Sequence, residues 1–168
     1  MHRDGDAPID VARLRGSVNG ARTFSVPTDV MPRILAEIDR AMHDAHFRSR
    51  RMDATSGALR VYRRGSLIGD VLIGGSGLSL ITRRIGSLSA LGVVVVWAGE
   101  RTPDTSRVIV SLVSGSHVGG DFVAAVDAAV HVLSTTGIPL ADEGWSRAVD
   151  VDPMLPANPR RAAELGLR

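Results

Sequence analysis

The sequence predicts an α+β domain, an antiparallel sheet of about four to five strands with two principal helices on one face. Three observations carry this. β-forming runs follow one another across short turns, as they do in hairpins. Residues 29–45 and 121–136 repeat apolar side chains at helical spacing. The order is strand, helix, two strands, an ambiguous stretch, two strands, helix, which suits an antiparallel sheet with both helices on the same side.

Residues 1–19 are polar and without pattern, and read as a flexible lead-in. Residues 21–26 alternate weakly, with Phe24 and Val26 on one side, and form a short strand. Pro27-Thr28-Asp29 then opens a helix, with Thr28 as its cap and Asp29 in its first turn. Apolar residues at 30, 31, 34, 35, 38, 41, 42 and 45 complete an amphipathic stripe. Residues 46–54 and 58–64 are two strands joined by Thr55-Ser56-Gly57. In the second of them Leu59, Val61 and Arg63 share one face, and Arg60, Tyr62 and Arg64 the other.

Residues 65–91 hold many leucines, isoleucines and glycines with no clean period, so helical turns and a bent strand both fit. The β-branched run GVVVVWA at 92–98 is a buried strand, and RVIVSLV at 107–113 is its antiparallel partner across a turn at 99–106. Ser114 to Gly120 is a glycine-rich loop. The second helix runs from Asp121 to about Thr136, with Phe122, Val126, Val130 and Leu133 on one side, Gly137 as the residue that closes it and Pro139 beyond. The chain is proline-punctuated and acidic from Ile138, with a short helical hint at 160–165. The division is therefore a lead-in at 1–19, an α+β domain at 20–137 and an acidic, proline-containing C-terminal tail at 138–168. The core is expected to gather Ile34, Leu35, Ile38, Met42, Val94, Val96, Ile109, Val126 and Val130. The sheet's other face would be exposed, covered by 65–91 or buried in a dimer, so a homo-oligomer is expected.

At 168 residues, 44% apolar and 23% charged, the chain has the composition of one globular domain. Aromatic residues make up only 4%, so the core must be aliphatic. The absence of cysteine excludes disulfides, thiol catalysis and cysteine-ligated metal. The absence of lysine excludes Schiff-base chemistry and a P-loop lysine. Lysine and glutamine are missing while Arg, Ala, Gly and Val abound, which points to a GC-rich bacterial genome. The first residues, MHRDGDAPIDVARLRG, contain no apolar signal core. No run of 18 uncharged apolar residues exists, and the nearest approach, 65–82, contains Asp70 and five glycines. A cytoplasmic protein is the expectation.

Charge is sorted along the chain. Residues 48–84 carry eight arginines and two acids, Asp53 and Asp70, a net +6, and the rest is net −4. Six of those arginines and Tyr62 fall within 48–64. Guanidinium binds phosphate and carboxylate bidentately, and a tyrosine can stack on a base. The candidate contacts for an anion or nucleic acid are thus Arg48, Arg50, Arg51, Arg60, Tyr62, Arg63, Arg64, Arg83 and Arg84. The plainer reading is a solvated face, or one neutralised by the chain's own acids at 121, 127, 142, 143, 150 and 152.

Ile73-Gly74-Gly75-Ser76-Gly77, followed by Leu80 and Arg83-Arg84, resembles the IGxxG loop of KH RNA-binding domains. Strand, helix, GxxG, helix, strand, strand, helix can be laid over roughly residues 58–134. In that family the loop joins two short helices and clamps the nucleic-acid backbone, so the resemblance implies a nucleic-acid contact at 74–77. Gly75 and Ser76 stand where the family usually has a basic residue.

Other patterns point less far. Gly115-Ser116-His117-Val118-Gly119-Gly120 lies between a strand and a helix but lacks the GK[ST] ending of a phosphate loop, and Asp121 at its mouth repels phosphate. Asp39, His43 and His46 share a helix flank, and Asp150 and Asp152 sit two apart, yet neither set supplies a full ligand shell for a metal. No GxSxG or HExxH motif is present. The sequence therefore reads as a non-catalytic binding or assembly module with no assigned catalytic, cofactor or metal residue. Nucleic-acid binding through the arginine hairpin is one alternative. Peripheral membrane association of 65–84, with arginine pairs at either end, is another.

Overall fold

The structure, a computed structural model, describes residues 19–54, 57–65 and 92–167, residues 51–54 and 57 by their backbone alone. It is an α+β fold. The strands are β1 (Gly20–Pro27), β2 (Arg48–Ala54), β3 (Gly57–Arg64), β4 (Gly92–Thr102), β5 (Thr105–Ser114) and β6 (Ala141–Arg147). They form one sheet in the order β2-β3-β4-β5-β1-β6, with every neighbouring pair antiparallel. The helices are α1 (Met31–Asp44), α2 (Gly119–Thr135) and the short α3 (Pro159–Glu164). The sixth strand exceeds the four to five expected because residues 141–147, read from their charge as tail, pair along β1.

Strand alternation sorts the sheet into two apolar faces. Phe24, Val26, Tyr62, Val94, Val96, Val108, Val110 and Leu112 point to one side, where α1 adds Ile34, Leu35, Ile38 and Met42 and α2 adds Phe122, Val126 and Leu133. Val130, expected in this core, is only partly buried at its border. Ile109 is buried as expected but on the opposite face, as its odd position in β5 dictates.

That opposite face, here the second face, presents Ala21, Leu59, Val61, Val93, Val95, Ile109 and Val113. Ala148, Val151, Ala157, Ala162 and Leu167 close over it. The dimer expectation rested on an incompletely covered face or edge: residues 148–167 pack on this face, while β2 and β6 stand at the edges of the described sheet. Asn158 fastens the covering segment. It is 2% exposed, its Nδ2 donates to the carbonyl of Val151 at 2.6 Å, and its Oδ1 accepts the Arg160 amide that opens α3.

The boundary chemistry differs from expectation at one point. A 3₁₀ turn at Thr28–Val30 precedes α1, so Val30 holds the cap position and no side chain caps the helix. The Thr28 hydroxyl turns instead to the β4–β5 turn, 3.1 Å from the Ser106 hydroxyl. Helix α2 ends as expected, with Gly137 at φ +71°. Gly92 is required where β4 begins, because a Cβ there would lie 2.5 Å from Val118 Cγ2. The 20-residue stretch Ser116–Thr135 is long and apolar enough to cross a membrane by length and composition. Here its apolar side packs on the sheet through Phe122, Val126 and Leu133.

Candidate anion-binding edge

Strands β2 and β3 pair from Arg48 opposite Arg63 to Ala54 opposite Gly57. Directly opposed residues project to the same side of a sheet. The hairpin's arginines are therefore divided by parity. Arg60 and Arg64 point to the helix side with Tyr62, whereas Arg48, Arg50 and Arg63 point to the second face.

The helix-side set is consumed by the fold. Arg60 Nη1 donates to the Leu35 carbonyl at 2.8 Å and lies 3.8 Å from Asp39 Oδ1. Arg64 is ion-paired to Asp121 at the start of α2, and its guanidinium lies 5.8 Å from the Phe47 ring centroid. Tyr62 is fully buried, and its hydroxyl donates to Asp39 Oδ1 at 2.8 Å. Burial, then that hydrogen bond to Asp39, pushes the phenol well above its usual titration range. A phenol held this way cannot stack on a base, so the proposed role of Tyr62 is not one its position allows.

The second-face set is different. Arg48 and Arg50 are exposed on the edge strand. Arg63 donates to the Leu167 carbonyl at 3.4 Å, and its buried Nε has no partner. Among the described residues none of the three pairs with a carboxylate, whereas Arg22, Arg40, Arg60, Arg64, Arg101, Arg107, Arg147 and Arg161 all do. Among the described residues Arg33 on α1 and Arg160 on α3 also lack a carboxylate, but they lie on helices rather than on the hairpin. Arg48 faces Arg63 across the ladder, a like-charge pairing that an anion would relieve. The side chain of Arg51 lies outside the description, and so do Arg83, Arg84, the 74–77 loop and residues 66–84 of the candidate membrane segment.

The acids expected to neutralise the hairpin mostly serve elsewhere. Among the described residues only Asp121 reaches it, through Arg64. Asp127 and Asp142 clasp Arg22, Glu143 takes Arg101 and Arg107, and Asp150 takes Arg147. The Asp152 carboxylate accepts the Met154 amide at 2.9 Å. Arg22 escaped the sequence reading. It shares a face with Phe24 and Val26, and an arginine on a core face needs acidic partners. Its guanidinium lies between Phe24 and Trp145, at 5.8 and 5.4 Å from their ring centroids. Partial burial of Asp142 opposes ionisation, but the Arg22 bond and the Gly144 amide outweigh it and hold the carboxyl below its ordinary range.

Of the possible metal residues, Asp39 is engaged by Tyr62, and His43 Nδ1 lies 2.8 Å from the Asp39 carbonyl oxygen. His46 forms the left-handed turn into β2 at φ 64°. Two cavities border the site. One of about 330 Å³ is lined by Ala36, Asp39, Ser49 and Arg60, beside the edge strand. The other, about 470 Å³, lies between α1 and α2 and is lined by alanines such as Ala125 and Ala129 together with Arg64 and Asp121. Comparison of the chain with protein-family models, curated proteins and solved structures finds no match.

Proposed function

We propose that the protein is a non-catalytic binding module that recognises an anionic partner through Arg48, Arg50 and Arg63. The observation that carries this reading is the division of the hairpin's arginines. Strand parity commits Arg60 and Arg64 to internal ties and leaves three guanidinium groups together on the second face, without a carboxylate among the described residues. The polar groups that most resemble reactive machinery, Tyr62, Asp39 and His43, are tied to one another and to the helix backbone, which favours a structural role for them. Self-assembly is a separate reading for which the sheet offers its two edges, β2 and β6.

The test is retention on immobilised poly-glutamate and on an immobilised single-stranded oligonucleotide, each over a salt gradient. The wild-type protein should be retained at low salt on at least one. Replacing Arg48, Arg50 and Arg63 together by alanine should reduce the salt slope by about one unit per lost contact where the polymer is nucleic acid. Replacing Arg60 and Arg64 should instead lower stability. Passage of the wild-type protein through both matrices at low salt would overturn the reading.

A further inference from the structure

We infer that the anionic partner is an extended acidic peptide that adds to the outer edge of β2, beside the six described strands. This rests on the anion-binding reading above and goes further by naming the ligand class. Among the described residues β2 pairs only with β3, and no other described strand meets its outer backbone amides and carbonyls. Such an edge is a template for another strand. The arginines fit the same geometry. Arg48 and Arg50 are two residues apart on one face, so their stems rise roughly 7 Å from one another along the edge. A strand laid beside β2 places every second side chain on that face, about 5 Å from its neighbour across the ladder. Glutamate or aspartate at alternate positions would meet the two guanidinium groups. The intervening side chains would fall on the helix side. There Ser49 borders the cavity of about 330 Å³ that Asp39 and Arg60 also line, a place for a small polar side chain.

Three other occupants fit less well. A single-stranded nucleic acid would want an exposed aromatic platform, and Phe47 and Tyr62 beside these arginines are both buried. A second copy adding β2 to β2 would oppose the arginines of one edge to those of the other. The acidic edge strand β6 of a second copy has its Asp142 and Glu143 already taken by Arg22, Arg101 and Arg107.

The experiment uses three acetylated, amidated octapeptides in fluorescence anisotropy. One alternates Glu and Thr. One has the same composition with Glu and Thr in pairs. One alternates but is N-methylated at every second residue, which removes backbone donors and keeps the charge. Amide hydrogen exchange of the full chain is followed in parallel. The alternating peptide should bind at least tenfold tighter than either control and should slow exchange in β2. The double variant Arg48→Glu, Arg50→Glu should lose that peptide and take up an alternating Lys-Thr peptide. Equal affinity for all three peptides would overturn strand addition while leaving anion binding standing. Tighter binding of an oligonucleotide of equal charge would also overturn it, as would self-association that protects β2 without peptide. Failure to bind any anion would sink the underlying reading as well.

Discussion

The two faces of the sheet are closed in different ways. On the helix side, regular elements cover the strands, and the partly buried arginines described there have found acids: Arg22 holds Asp127 and Asp142, Arg60 lies beside Asp39, and Arg64 holds Asp121. On the second face an irregular segment, 148–167, lies over a smaller apolar surface. Its polar fittings are less complete. Arg63 Nε, Arg107 Nε and the Ser111 hydroxyl are buried there without partners. Among the described residues the helix side spends its hairpin arginines on internal pairs, whereas the second face keeps Arg48, Arg50 and Arg63 without a carboxylate at its border.

The strongest way to break this comparison is truncation of the core. Leu35 is 4% exposed beneath α1, and Leu35→Ala should cost about 2–5 kcal/mol in urea unfolding. Leu167→Ala on the second face should fall toward the low end of that range, because a cover built mostly of turns can settle into the void. Equal losses would mean that the second face is packed as rigidly as the first.

Arg22→Met comes next. It strands two carboxylates, but Asp127 and Asp142 are 43% and 30% exposed, so solvent absorbs part of the loss and about 1–3 kcal/mol is expected. The pH dependence sharpens the test. Asp142 titrates below its ordinary value of 3.8 in the folded state. Its contribution is therefore present above about pH 4 and is lost as the pH falls through the folded value. Arg22→Met should remove that acid-side slope, and a stability profile unchanged below pH 4 would show that the clasp is not ionic.

Asn158→Ala should cost about 1–2 kcal/mol, since it removes the cap of α3 and leaves the Val151 carbonyl without its side-chain donor. Proteolysis within 148–167 should accelerate more than global unfolding does. The smallest effect has the opposite sign. Ser111 is fully buried with an unpartnered hydroxyl, so Ser111→Ala should be neutral or stabilising by up to about 1 kcal/mol. A clear loss would reveal a hydrogen bond to a buried water on the second face.

The same contrast explains what the sequence made legible. The α1 stripe at 34, 35, 38 and 42 and the valine run of β4 carry their periods openly, so the fold class and the helix-side core follow from pattern alone. Residues 141–147 do not. An edge strand buries little, and Asp142, Glu143 and Gly144 satisfy charge and a bulge rather than a hydrophobic rhythm. Most of the cover at 148–167 is irregular and has no period to find, and only the helical hint at 160–165, where α3 forms, was legible there. At the hairpin, alternation in 59–64 correctly separated Arg60 and Arg64 from Arg63. It could not tell that Asp39 and Asp121 would consume the first pair, because both acids come from helices distant in sequence. Nor could it tell that Tyr62 faces the core.

The place of β1 in the sheet has a consequence for how the molecule is made. Ala21 pairs with Ser111 on one side and with Ser146 on the other. As the chain leaves the ribosome, β2 with β3 and β4 with β5 can join across short separations. β1 must wait for β5, whose Ser111 pairs with Ala21, and then for β6, whose Ser146 pairs with the same residue, before its two ladders can form. Loop closure over such spans is slow, and apolar Phe24 and Val26 stay uncovered meanwhile. Folding is thus expected to be rate-limited by insertion of β1 between β5 and β6, which both follow it at long sequence separation. The interval before that insertion is when the nascent protein is most exposed to aggregation and most in need of a chaperone.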